Sequence, residues 1–409
     1  MVRINKLEDQ AIAGTCDNRQ VDSTPERSVW RTIAVCLITV ACLALVVGMY
    51  AAFLTDKDAT QRDFIEYWAT GQQLIHGANP YDPVAVLHLQ QAAGLEGRKP
   101  KVTFSPPILL LITLPLGVLS PKTGLILWLL VLVTCLIVSI WLIWLLCDRP
   151  ENGLHYCGFL FAPAVACLMA GQLGILLLLG IAVFLRLYKL HPYLAGAALL
   201  PCAWKPHLFL PFFVVLLLWS VSRREYRILA GFSLLVLLSC AAITRLDRHV
   251  WSQYSEMMSE TGVLHAFVPT LSVALRVLID RNAAWLQFVP EAVAGLWAAW
   301  YFWTRRERWD WMDQGLLVLL VSFLCTPYGW FSDEAVLLVP VLAGVFRAPA
   351  NGRSLWPIGA IAALALVEVS AVGHMASAYY LWTTPAWLGW YLYATRTRRG
   401  RREVEAVSC

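Results

Sequence analysis

Two carboxylates and a tyrosine lie close together in the segment from 62 to 71, which reads RDFIEYWATG. On a helix Asp63, Glu66 and Tyr67 stand at positions i, i+3 and i+4, so they share one face. A carboxylate presented in this way can accept a proton at hydrogen-bond distance, which is the task of a general base. The alternative interpretation is an amphipathic helix at a membrane surface whose polar face only meets water.

A second group of polar side chains lies between apolar runs. Lys205 is in the short turn Trp204-Lys205-Pro206-His207, where an unpaired ammonium would be costly and where a phosphate would find a cationic partner. The alternative is a lysine that extends to the membrane interface. His207 could share the phosphate or make an interfacial hydrogen bond, and Gln172 could contact sugar or phosphate or bond a neighbouring helix.

The composition indicates that the elements holding these residues are transmembrane helices. Of the 409 residues 59% are hydrophobic and only 14% are charged, which is far from the composition of a soluble domain. The net charge of +5 comes from short basic clusters between apolar runs and does not indicate nucleic-acid binding. Eleven cysteines without a C-x-x-C pair indicate neither a zinc site nor a disulfide framework.

The apolar runs predict an all-α, polytopic bundle of about twelve spans. The first run, 30–54, follows a polar tail at 1–28 and has no cleavage site, so we expect it to remain as a helix. The others are predicted at 106–120, 123–146, 156–187, 192–204, 207–221, 226–243, 285–303, 313–325, 333–347, 355–372 and 376–394. The run 156–187 is too long for one straight pass and is interrupted at Gly171-Gln172, which predicts a broken helix. This helix could count as one pass or as two. Its break must be buried in protein or face water, because lipid cannot bond the freed backbone groups.

Counting 156–187 as one pass puts all the basic loops on one side, which the positive-inside rule assigns to the cytoplasm. These loops contain Arg186 and Lys189; Arg223, Arg224 and Arg227; Arg305, Arg306 and Arg308; Arg347 and Arg353; and the tail arginines 396, 398, 399, 401 and 402. The other side receives segments 55–105, 204–207, 244–284 and 326–333. The predicted organisation is a cytoplasmic tail at 1–28, a membrane domain at 29–395 with large outer loops at 55–105 and 244–284, and a basic cytoplasmic tail at 396–409.

A series of short motifs resembles the pattern of glycosyltransferase family 87, in the same order and over most of the chain. The motifs are Asp63-Phe64 with Tyr67-Trp68 and Gly71, then Gly77 and Pro80-Tyr81-Asp82, Phe104-Ser105-Pro106-Pro107, Gly171-Gln172, Lys205-Pro206, and Thr326-Pro327-Tyr328-Gly329-Trp330 with Asp333 and Pro340. The resemblance implies a GT-C architecture, in which helices surround a cavity open to the non-cytoplasmic side and long outer loops close it. It also implies juxtamembrane helices in the first outer loop.

By this resemblance the donor is a hexose, with mannose first, on a polyprenyl phosphate, and the acceptor is an unidentified glycolipid or glycan. Asp63 would be the general base of an inverting transfer, with Glu66 in reserve, and the alternative for Asp63 is a structural carboxylate. Lys205, His207 and Gln172 would bind the donor phosphate. The residues expected to contact sugar or acceptor are Tyr67, Trp68, Tyr81, Tyr328, Trp330 and Asp333, although some relatives have histidine near the position of Asp333.

The resemblance requires no metal or bound cofactor. Asp56-Lys57-Asp58 has the D-x-D spacing of a metal motif, but it abuts the first span and we interpret it as a solvated helix end. We expect a multi-pass protein of the cell membrane with cytoplasmic termini, membrane lipids around it and the active site on the periplasmic or external face. A transporter or lipid flippase is the alternative, and a membrane scaffold is a third that leaves the motifs unexplained.

Overall fold

The computed structural model describes residues 55–260, 267–373 and 378–396. The predicted first span, the N-terminal tail and all but the first residue of the C-terminal tail lie outside these ranges. Within them every regular element is helical, which confirms the all-α class. The α-helices are α1 Asp56–Gln61, α2 Phe64–Ile75, α3 Pro83–Ala92, α4 Leu110–Gly117, α5 Pro121–Leu146, α6 Ala162–Ala170, α7 Gly174–Leu187, α8 Pro192–Ala198, α9 Leu210–Ser222, α10 Tyr226–Leu246, α11 Val250–Glu260, α12 Leu271–Ile279, α13 Val289–Arg305, α14 Leu316–Leu324, α15 Leu338–Ala350, α16 Trp356–Val372 and α17 Thr383–Thr395.

Each of the eleven spans predicted after the first contains at least one of these helices, but many of the helices are shorter than the apolar runs. Two of the described helices, α5 and α10, are long and apolar enough to cross a bilayer by themselves. Elsewhere tight 3₁₀ turns take up part of the run, as at Leu200–Trp204 after α8 and Phe331–Leu337 before α15. Proline accounts for the first of these, because Pro201 removes a backbone donor. The number of spans therefore stays a prediction.

The predicted interruption of the 156–187 run separates α6 from α7. Gly171 caps α6 with a φ of +73°, and its N–H and that of Gln172 both donate to the carbonyl of Cys167. The Trp128 indole donates to the Gly171 carbonyl at 2.8 Å, and Arg62 Nη1 donates to the Met169 carbonyl at 2.7 Å. The polar groups freed by the break are thus bonded within the protein, as the sequence required.

Gly171 is expected to be intolerant of even a methyl group. A Cβ at this position would lie 2.8 Å from the Cβ of Phe64, and the left-handed backbone disfavours any L side chain. Gly171→Ala should lower the stability of the protein by roughly 1–3 kcal/mol. It should lower activity as well, because Phe64 is the first residue of α2 and directly follows Asp63. Thermal unfolding in detergent tests this, with Gly359→Ala on α16, where a Cβ meets nothing within 4 Å, as the control. An unchanged midpoint in Gly171→Ala would contradict it.

Helix α2 carries the carboxylates and is packed on its other faces. Phe64 and Ile65 are fully buried, and the Trp68 indole donates to the carbonyl of Leu119 at 2.9 Å. Gly71 lies so close to Gly117 of α4 that neither has room for a Cβ. The helix is therefore held rigidly against α4, and only one face remains for chemistry.

The predicted cytoplasmic loops contact one another. Lys189 Nζ lies 3.7 Å from a carboxylate oxygen of the segment 306–313. Arg223 donates to two backbone carbonyls of the same segment at 2.8 Å, and Arg347 lies 2.8 Å from one of its carboxylate oxygens. Three separate basic loops therefore gather around one segment.

Candidate active site

A cavity of about 420 Å³ is lined by parts of all four predicted outer segments. This volume is in the range of small-molecule sites. Eight of the eleven candidate residues line the cavity, and they are Asp63, Glu66, Tyr67, Gln172, Lys205, His207, Tyr328 and Trp330. The structure thus brings together side chains that are up to 267 positions apart in the chain (330 − 63).

Asp63 is held by two donors at the start of α2. It occupies the N-cap position, but its side chain makes no capping hydrogen bond. One carboxylate oxygen lies 3.3 Å from Lys101 Nζ, and the other accepts a hydrogen bond from Gln172 Nε2 at 3.2 Å. Gln172 in turn accepts from the Tyr67 hydroxyl at 2.8 Å. The chain of contacts fixes the orientation of Asp63 while its side chain stays partly exposed to the cavity, as a general base needs.

Glu66 lies one turn further along the same face and differs from Asp63 in its environment. Burial, and then the negative charge of Asp63, raise the pKa of the Glu66 carboxyl to about 8. At neutral pH Glu66 therefore holds a proton. A protonated carboxyl group cannot accept the proton of a hydroxyl, so Glu66 is not available as a general base at that pH.

The proton on Glu66 should appear in the pH dependence of stability. Between the ordinary value of 4.5 and about 8, the folded protein holds a proton that the unfolded chain has released, so stability falls as pH rises through this window. Replacing Glu66 with Gln removes this contribution, and the difference between the thermal midpoints of Glu66→Gln and wild type should grow in favour of the variant from about pH 5 to about pH 9. Parallel curves over this range would show that Glu66 titrates normally.

Lys205 has a partner inside the protein, so its ammonium is not left unpaired. Its Nζ lies 2.7 Å from Asp333 Oδ1, and the exposed fractions of the two residues are 8% and 1%. Asp333 Oδ2 accepts from the backbone N–H of Trp330 at 3.0 Å. Asp333 does not line the cavity, and its contact with Lys205 supports that side chain. Lys205 itself faces the cavity with its charge held in place.

Glu334, the neighbour of Asp333, is hydrogen-bonded to side chains of α17. Its carboxylate accepts from the hydroxyls of Thr383 and Thr384, each at 2.8 Å, and from the Trp387 indole at 2.9 Å. Glu334 does not line the cavity, and these three hydrogen bonds hold its carboxylate in place. These bonds anchor the turn Phe331–Leu337, and with it Asp333.

Trp68 and Tyr81, two of the predicted sugar contacts, are not among the residues that line the cavity. The Trp68 indole donates to the carbonyl of Leu119, in the turn that follows α4. The Tyr81 hydroxyl donates to the carbonyl of Ser105 at 3.0 Å, and its ring lies 5.3 Å from that of Tyr254. Both residues therefore support the walls of the site.

The second large loop, predicted at 244–284, contributes to the cavity. Tyr254 and Met258 of α11 line it, and the Tyr254 hydroxyl donates to the carbonyl of Phe104 at 3.3 Å. This bond joins the two loops predicted at 55–105 and 244–284. His265 of the same loop lies outside the described residues, whereas Arg276 is buried in α12.

Sequence reasoning missed Lys101 and Gln287, two of the polar residues that line the cavity. Lys101 contacts Asp63. The sequence feature that could have identified it is the basic stretch RKPK at 98–101, which is in a predicted outer loop, where the positive-inside rule expects few cations. Gln287 is 1% exposed and lies in the 3₁₀ turn Ala284–Phe288. Nothing in its sequence context distinguished it from other glutamines.

The D-x-D triplet takes part in a helix start. Asp58 accepts from both the backbone N–H and the hydroxyl of Thr55, at 2.8 and 2.7 Å, while the Thr55 hydroxyl accepts from the Asp58 N–H. This reciprocal arrangement is a capping box. It agrees with the interpretation of the triplet as a helix end.

Comparison with known proteins supports the resemblance drawn from the motifs. The model of glycosyltransferase family 87 matches residues 104–327, more than half of the chain, including Gln172, Lys205 and His207. No significant match was found among curated proteins or among solved structures. The matched region together with the all-helical fold shows that the chain belongs to glycosyltransferase family 87, a family of membrane glycosyltransferases.

Proposed function

We propose that the protein transfers a hexose, with mannose as the first candidate, from a polyprenyl phosphate to an acceptor hydroxyl, with inversion, on the outer face of the cell membrane. The observation that carries this proposal is the cavity itself. It is lined by a carboxylate, Asp63, that can accept a proton, and by an ammonium, Lys205, that can neutralise a departing phosphate.

In the proposed reaction Asp63 accepts the proton of the acceptor hydroxyl, whose oxygen attacks the anomeric carbon of the donor. The bond from that carbon to the phosphate oxygen breaks, and the phosphate keeps the electron pair beside Lys205. Asp333 fixes the position of Lys205 through their 2.7 Å contact. Because Glu66 is protonated at neutral pH, a single displacement is favoured over a mechanism with a second, nucleophilic carboxylate.

Aromatic side chains provide a surface for the sugar. Tyr67, Tyr328 and Trp330 line the cavity, and the rings of Tyr328 and Trp330 lie 6.0 Å apart at a right angle. Aromatic rings with polar tips can pack on the apolar face of a hexose and bond its hydroxyls. Of the six residues predicted from the sequence to contact sugar or acceptor, we propose these three as sugar contacts.

The proposed sidedness rests on how the loops are grouped. Segments 55–105, 204–207, 244–284 and 326–333 were assigned to one face of the membrane, and residues from each of them or from their borders line the cavity. The basic loops assigned to the other face contact the segment 306–313 instead. This separation supports the count in which α6 and α7 form one broken pass.

The donor class can be tested directly. The purified protein in lipid nanodiscs is incubated with a membrane lipid extract and either radiolabelled polyprenyl-phosphate-mannose, polyprenyl-phosphate-glucose or a soluble nucleotide-mannose. We expect label to pass to a new product from a polyprenyl-phosphate sugar and not from the nucleotide sugar. Transfer from the nucleotide sugar alone would overturn the proposed donor.

A further inference from the structure

Three side chains that line the cavity have buried polar atoms without a hydrogen-bond partner in the protein. The atoms are Trp204 Nε1, His207 Nε2 and Gln287 Oε1. A buried donor or acceptor left unsatisfied lowers stability. Because all three residues line the cavity, a ligand bound there can provide the missing partners.

All three groups are neutral. An indole is a donor only, and an amide both donates and accepts. Burial, with the nearby positive charge of Lys205, lowers the pKa of the His207 imidazole to about 4, so it is uncharged at neutral pH. Neutral donors and acceptors match sugar hydroxyls, each of which donates one hydrogen bond and accepts others. A phosphate is better matched by the ammonium of Lys205.

The position of these groups favours the sugar of the donor over that of the acceptor. Trp204 and His207 are one and two positions from Lys205 in the same turn, and the group attached to a phosphate bound there is the donor hexose. Gln287 reaches the same cavity from the turn before α13, and its side chain is almost completely buried. A ligand that contacts both walls is enclosed between separate elements of the bundle.

Building on the proposed function, we infer that Gln287, together with Trp204 and His207, recognises hydroxyl groups of the donor hexose and so determines which sugar is transferred. His207 is thereby assigned to the sugar and not to the phosphate. Lys205 binds the phosphate common to all such donors, whereas Gln287 discriminates between sugars.

The inference is tested by comparing two ligands that differ only in the sugar. Binding of farnesyl phosphate and of farnesyl-phosphate-mannose to the protein in nanodiscs is measured by surface plasmon resonance for wild type and Gln287→Met. We expect wild type to bind the mannosylated ligand more tightly, and Gln287→Met to lose roughly three- to tenfold in affinity for that ligand alone, as for one hydrogen bond. Gln253→Met is the matched control, because Gln253 also has an unpartnered Oε1 but does not line the cavity, and its affinities should not change.

Each other result overturns part of the assignment. An equal loss for both ligands in Gln287→Met would mean that Gln287 acts on the phosphate or on the fold. Unchanged binding of both, with a raised KM for the acceptor, would move Gln287 to the acceptor sugar. If wild type binds neither ligand, the proposed donor class itself fails. Gln287→Glu, which keeps an acceptor oxygen, allows the same comparison should Gln287→Met not fold.

Discussion

Asp63→Asn should lower the rate of sugar transfer by roughly 10²- to 10⁴-fold, the usual contribution of a general base. The amide of asparagine can keep an oxygen facing Lys101, but it cannot take the proton of the acceptor hydroxyl. Because only the base is lost, the affinity for the donor should change little. The measurement is the rate of label transfer from the polyprenyl-phosphate sugar, with donor binding measured on the same preparation.

The same loop offers a matched control for this substitution. Asp82 caps α3 by accepting from the N–H groups of Val84 and Ala85, at 2.8 and 3.2 Å, and it does not line the cavity. Asparagine caps a helix as well as aspartate does, so Asp82→Asn should retain both stability and transfer. Full activity in a folded Asp63→Asn would remove Asp63 as the base and turn attention to Glu66.

The local part of the site could be predicted from sequence because its residues are near one another in the chain. Asp63, Glu66 and Tyr67 share a helix face by spacing alone, and the structure turns that face to the cavity. The break at Gly171-Gln172 was also predictable, since a glycine followed by a polar residue interrupts an otherwise apolar run. Both features depend on a few consecutive residues.

The partners of the predicted residues could not be found in this way. Asp333 is 128 positions from Lys205, and Gln172 is 109 positions from Asp63. Only the packing of the helices decides that these side chains meet. The same holds for Trp68, whose type suited a sugar contact but whose indole bonds to the Leu119 carbonyl in the turn after α4.

Removing one partner of the ion pair between Lys205 and Asp333 should have a large effect on the stability of the protein. Lys205→Met should lower the stability of the protein by roughly 3–5 kcal/mol, because it leaves the carboxylate of Asp333 buried without its partner. Asp333→Asn should lower the stability of the protein by less than Lys205→Met does. Its amide oxygen can still accept from the Trp330 N–H, and the ammonium of Lys205, which lines the cavity, can turn towards water. Thermal unfolding of the purified variants in detergent measures both.

The double variant separates the structural role of Lys205 from the proposed binding role. Lys205→Met combined with Asp333→Asn has no buried charge left unpaired, so much of the stability lost in Lys205→Met should return. The affinity for farnesyl phosphate should not return with it, because the phosphate has lost its cation. Recovery of binding together with stability would show that Lys205 serves only to neutralise Asp333, and the donor phosphate would then require another cation of the cavity, for which Lys101 is the candidate.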